Sequence, residues 1–92
     1  MIVWDERKRA ANLAKHGLDF ADAWRVYEGP SKLTFESARK GEYRRLDLAM
    51  VEYVLLAFVY VERGKVVRAI SLRRASRAER RMYEKAIQTQ SH

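Results

Sequence analysis

VEYVLLAFVYVERGKVVRAISLRRASRAERRMY, residues 51–83, decides the fold. Its first twelve residues are nearly continuous in β-branched and aromatic side chains, as in a central strand covered on both faces. ERGK then interrupts the run, Gly64 supplies a positive φ for a hairpin turn, and VVRAISLR returns antiparallel. Ser76 and Glu79 next stand in the capping-box spacing S-x-x-E, in which serine and glutamate satisfy free backbone N–H groups at a helix start. Ala78, Met82 and Ala86, with Tyr83 and Ile87 beside them, form an apolar stripe expected to dock this last helix on the sheet. Another face carries Arg77, Arg81 and Lys85 at i, i+4 and i+8, while Arg80 is expected to pair with Glu84.

Upstream, the period is helical. Met1 to Trp4 reads as an edge strand, and Asp5 stands as N-cap to ERKRAANLAKHG. Gly17 and Leu18 form a left-handed stop that ends the first helix near His16. Asp19 caps a second helix in which Phe20, Ala23, Trp24 and Tyr27 recur as core, before Gly29-Pro30 ends it. Lys32 to Glu36 reads as a short strand and Ser37 to Gly41 as a turn. Glu42 to Leu48 reads as a strand with Glu42, Arg44, Leu46 and Leu48 on one side, and Tyr43, Arg45 and Asp47 on the other. The expectation is one α+β domain over 1–92. It has a small antiparallel sheet of three or four strands, with two N-terminal helices and one C-terminal helix.

Composition narrows the function. The 92 residues are 48% hydrophobic and 34% charged, the balance of a folded protein. Without cysteine there is neither a disulfide nor a thiolate site, and two histidines are too few for a metal cage. No apolar run approaches a membrane span, so a soluble, cytoplasmic protein is expected. The net charge of +7 is concentrated in one quarter of the chain: residues 63–85 hold nine basic side chains against Glu79 and Glu84, whereas residues 1–62 balance at ten each. Such asymmetry points to a polyanionic partner.

WDERKRAANLAKHGLDFADAWRVYEGP at 4–30, EYR at 42–44 and RAISLRRASRAERRMY at 68–83 resemble the BrnT family of toxins. The resemblance rests on Trp4-Asp5, Asn12, Lys15-His16-Gly17, Phe20 and Ala23, then Ile70-Ser71, Arg73-Arg74-Ala75, Glu79 and Tyr83. It implies a RelE-like fold and an endoribonuclease that blocks translation. It also implies a toxin–antitoxin heteromer with a cognate, BrnA-like, DNA-binding antitoxin. Gly29 stands where the family often has an acidic residue, and Leu72 and Ser76 where it often has alanine and asparagine.

RNA is cut without a metal when its 2′-hydroxyl attacks the adjacent phosphate. The protein then positions the groups, stabilises charge on the phosphate oxygens and moves two protons. This chemistry requires no cofactor. Arginine suits the charge, since its planar fork holds phosphate bidentately and stays ionised. Arg73 and Arg77, with Arg44, form the candidate phosphate clamp, and Arg68, Arg74, Arg81 and Lys85 are candidate RNA contacts. Strand parity sets Arg68 opposite Arg73 unless a bulge intervenes. Arg44 reads equally as half of a cross-strand ion pair. The candidate proton carriers each have a structural alternative: His16 as a helix C-cap, Glu42 as the partner of Arg44, and Tyr83 as core. A non-catalytic basic module binding nucleic acid or antitoxin remains the alternative function.

Overall fold

The computed structural model describes the backbone of residues 1–39 and 41–90, and the side chains of 1–36 and 41–89. The chain runs β1 (Ile2–Val3), α1 (Glu6–His16), a 3₁₀ turn (Phe20–Asp22) and α2 (Trp24–Tyr27). The strands β2 (Leu33–Arg39), β3 (Glu42–Val51), β4 (Val54–Arg63) and β5 (Val66–Arg74) come next, and α3 (Arg77–Gln90) closes it. The sheet therefore has five strands, ordered β1-β5-β4-β3-β2, rather than three or four. Its four long strands pair antiparallel, and β1 adds a short parallel edge against Val67 and Arg68. The expected turn over 37–41 is shorter, because β2 continues to Arg39; Lys40 lies outside the described residues. Among the described residues no helix is long and apolar enough to cross a membrane.

The first helix forms as its sequence dictates. Asp5 accepts a hydrogen bond from the Arg7 N–H, and Gly17 adopts φ 71° while its own N–H closes on the Leu13 carbonyl. The expected second helix is instead broken: Asp19 caps a 3₁₀ turn, and only Trp24–Tyr27 is α-helical. A 3₁₀ helix has three residues per turn instead of 3.6, so three residues rotate the next segment by roughly 60°. Phe20 and Ala23 stay buried, but Val26 takes the inner position expected of Trp24, which is 51% exposed beside the Arg25 guanidinium.

VEYVLLAFVYVE is not one strand. Glu52 and Tyr53 turn the chain with φ of 50° and 70°, the two positive values of a tight hairpin, although neither is glycine or asparagine. This lengthens β3 to Val51 and starts β4 at Val54. The sheet then carries a core on each face. Phe20, Ala23, Val26, Leu56, Phe58, Tyr60 and Leu72 pack beneath α1 and α2. Leu48, Leu55 and Ala57 pack on the other face, beneath Tyr83 of α3. Full burial of each large apolar side chain contributes roughly 1.5–3 kcal/mol before chain entropy is subtracted.

α3 docks through a different stripe from the expected one. Tyr83 is buried and Ile87 half-buried, whereas Ala78 and Met82 are exposed. The cause lies in its first turn, where Glu79 is bound to Arg73 and to the Ser76 N–H, so the row 79, 83, 87 faces the sheet. Among the described residues no ion pair joins Arg80 to Glu84, and both side chains are exposed. An i,i+4 pair with the cation on the N-terminal side is the weaker orientation.

Two buried polar residues fix the strands. The fully buried Asp47 carboxylate accepts hydrogen bonds from Thr34 Oγ1 (2.6 Å), Tyr60 Oη (3.1 Å) and Lys32 Nζ (3.1 Å). Its charge is thus answered, as a buried charge must be. Asn12 joins α1 to β5: its Nδ2 donates to the Leu72 carbonyl (2.8 Å) and its Oδ1 accepts from the Leu72 N–H (3.1 Å). The amide takes the place of the next strand where β5 runs on past the two-residue β1.

Candidate active site

The open half of the α3-side sheet face is where the arginines meet. α3 covers the end of the sheet bearing Leu48 and Leu55 and leaves Val59, Ser71 and their neighbours uncovered. The register explains which side chains reach this surface. Ser71 pairs with Val59 but Ala69 pairs with Tyr60, so Ile70 is an extra residue in β5, a bulge. Arg73 stands opposite Ala57 and Arg68 opposite Val61, positions of one parity on β4. The bulge therefore turns Arg68 and Arg73 to the same face. Arg44 joins them, since β3 shows Leu46 opposite Val59 and Leu48 opposite Ala57 on that face.

Each of the three guanidinium groups is held by a carboxylate. Glu42 accepts from Arg44 Nε (3.3 Å) and, across the sheet, from an Arg68 terminal nitrogen (3.0 Å). Arg44 thus pairs not across strands, as foreseen, but with Glu42 two residues away on β3, and the cross-strand arm of the bridge goes to Arg68. Arg73 donates to both oxygens of Glu79, at 2.7 and 2.9 Å, and Glu79 also accepts from the Ser76 N–H at 2.8 Å. Hydrogen bonding from Arg73 holds the Glu79 carboxyl down at about 2, and the same pairing pushes the Arg73 guanidinium further up. Arg44, Val59, Ile70, Ser71, Arg73 and Glu79 line a cleft of about 360 Å³.

The other expected site residues fall elsewhere. Arg73 also borders a second, shallower cleft of about 570 Å³, with Lys15, His16, Arg74 and Ser76. His16 ends α1 there. Arg77, expected to act with Arg73, is exposed on the first turn of α3 and lines neither cleft; Arg81 and Lys85 are exposed further along. The Tyr83 ring does not escape the core, and its hydroxyl donates to the Ser31 carbonyl at 3.4 Å.

Sequence reasoning gave Ile70, Ser71, Lys15 and Asn12 no role beyond the resemblance they carry, and raised a bulge only as the condition for Arg68 and Arg73 to share a face. For Asn12 a signal existed, because asparagine is a poor residue for a helix interior and is favoured there only through a specific hydrogen bond. For the bulge none existed, since isoleucine is an ordinary strand residue.

The arrangement can bind an oxyanion and present a fixed carboxylate beside it. Comparison with curated proteins finds no match. The family model of BrnT, the ribonuclease toxin of type II toxin–antitoxin systems, matches residues 4–79, which include the whole arginine cleft. With 76 of its 92 residues inside that match, the chain belongs to the BrnT family of ribonuclease toxins.

Proposed function

We propose that this chain is a metal-independent endoribonuclease of RelE-like fold that inhibits translation until a cognate antitoxin restrains it. Membership of a type II toxin–antitoxin family implies an RNA target and an antitoxin partner. The observation that carries the finer reading is the bulge at Ile70, which gathers Arg44, Arg68 and Arg73 on one uncovered sheet face. In this reading Arg73, partly released from Glu79, takes the scissile phosphate in its fork and stabilises the charge that grows as the 2′-oxygen bonds to phosphorus and the P–O5′ bond breaks, the leaving 5′-oxygen taking its proton from water. Arg44 lines the same cleft, and Glu42, held by Arg44 and Arg68 just outside its lining, is the carboxylate that receives the hydroxyl proton in this reading. Arg77, Arg81 and Lys85 supply outlying contacts to RNA or to an acidic antitoxin segment.

The test is cleavage of end-labelled RNA by the purified chain in the presence of a chelator, with growth arrest on induced expression as the cellular counterpart. Intact RNA and normal growth would sink the catalytic reading in favour of a binding module. Glu42→Gln separates the roles within the site: it should cut turnover by about 10²-fold or more, as expected for loss of a general base, while RNA affinity holds.

A further inference from the structure

The carboxylates of the protein answer the arginines of the sheet cleft one by one, yet they do not reach the cleft next to it. Arg44 and Arg68 share Glu42, Arg45 has Glu36 and Glu62, and Arg73 has Glu79. In the neighbouring cleft Lys15, His16 and Arg74 converge with Arg73 and Ser76, and no carboxylate is among its lining residues. Among the described residues neither Lys15 nor Arg74 forms an ion pair. Three elements build this cluster. Lys15 and His16 come from the last turn of α1, Arg74 ends β5, and Ser76 opens the turn into α3. Part of the Lys15 charge is engaged by the carbonyl end of α1. Arg74, pointing to the opposite side of β5 from Arg73, has no such duty.

We propose that the Lys15–His16–Arg74 cleft is a second phosphate subsite, which holds the RNA backbone at a nucleotide flanking the one that is cut. The proposal rests on the reading of the sheet cleft as the cleavage site. Arg73 borders both clefts, so a strand leaving the scissile position crosses Arg73 and meets unpaired cations next. An incoming RNA phosphate there sheds its own condensed counterions and displaces no protein carboxylate, which makes this the less costly of the two places to bind an anion. The wide, open shape suits the backbone of a single strand, and a subsite that reads phosphate alone gives affinity and register without sequence preference.

The experiment measures binding of fluorescein-labelled 2′-O-methyl RNA, which cannot cleave itself, to the full chain across roughly 50 to 200 mM salt. Removal of two phosphate contacts from a single strand reduces the slope of log affinity against log salt by about 1.4. That change is expected for the double variant Lys15→Ala, Arg74→Ala with an RNA of ten or so nucleotides, together with about tenfold weaker binding at low salt. The charge-conserving pair Lys15→Arg, Arg74→Lys should keep the wild-type slope, and Lys65→Ala, in the distant β4–β5 turn, serves as the control. A wild-type slope in the double alanine variant overturns the subsite. So does a loss confined to binding of an acidic peptide, which would make the cleft a protein-docking site. Absence of RNA cleavage by the wild type, with the slope still falling in the variant, instead overturns the catalytic reading and with it the flanking role, and leaves the cleft a phosphate-binding site alone.

Discussion

Arg73 and Glu79 hold one another through two parallel hydrogen bonds of 2.7 and 2.9 Å, so the end of β5 and the first turn of α3 are fastened at the cleft. The same carboxylate completes the α3 cap through the Ser76 N–H. A phosphate approaching Arg73 competes with Glu79 for one guanidinium.

Arg73→Ala should reduce RNA cleavage by about 10²–10³-fold, the usual effect of removing a group that stabilises transition-state charge. Stability should fall by only about 1–2 kcal/mol, since Glu79 keeps its cap and gains water. Arg73→Lys retains charge but not the bidentate fork and should recover little activity. Initial rates on labelled RNA, with thermal melts of each variant, decide this. Wild-type rates in Arg73→Ala would remove the cleft from the mechanism.

Acid should loosen the start of α3 through Glu79. Its folded carboxyl lies at about 2 against an ordinary value of 4.5, so its contribution is complete above about pH 4.5 and disappears as pH falls towards 2. After allowance for the partial exposure of the pair, that contribution is about 1–2 kcal/mol. Urea unfolding at a series of acid pH values should show this dependence in the wild type and a flatter profile in Glu79→Gln. Identical profiles would contradict the assignment.

Asn12→Leu keeps a similar volume but strands the Leu72 N–H and carbonyl. The expected cost is about 1–3 kcal/mol, with faster hydrogen exchange at the Leu72 amide than at Phe58. Unchanged protection at Leu72 would mean that the strand does not depend on this clamp.

The β3–β4 hairpin is open to improvement. Glu52 and Tyr53 hold positive φ at a cost that asparagine and glycine avoid. Glu52→Asn with Tyr53→Gly should stabilise the fold by about 1 kcal/mol, even after loss of the exposed Arg25–Glu52 ion pair. A lower melting temperature would show that the 96%-exposed Tyr53 or that pair contributes more than the geometry suggests.

How much of the fold and the cleft was legible in the sequence depended on whether a feature was local. The Asp5 cap, the Gly17 stop, the Gly64 turn and the Ser76–Glu79 box are short-range chemistry, and each formed where its residues stood. The 51–62 run failed as a single strand because its turn residues carry no turn chemistry, only the tertiary pairing of β3 with β4. Trp24 and Met82 were misplaced by helical phase, which a 3₁₀ turn in one case and the Arg73–Glu79 bond in the other reset. Charge asymmetry located the basic end of the chain. It could not show that Arg68 and Arg44 share Glu42, because that bridge exists only once three strands lie side by side.

Ile70 gives the last of these points a sharper form. One residue inserted in β5 sets the phase between its two halves, with Ala69 and Leu72 both kept in the same core while Arg68 and Arg73 share the opposite surface. The same chain paired without that bulge would keep its composition, its charge and every arginine, yet divide Arg68 from Arg73 across the two sides of the sheet, whereas loss of Ile70 itself would leave a regular strand with both still on one face. For a member of a ribonuclease-toxin family, loss of the bulge would be a route to silence by register alone, with every charged group of the cleft still present.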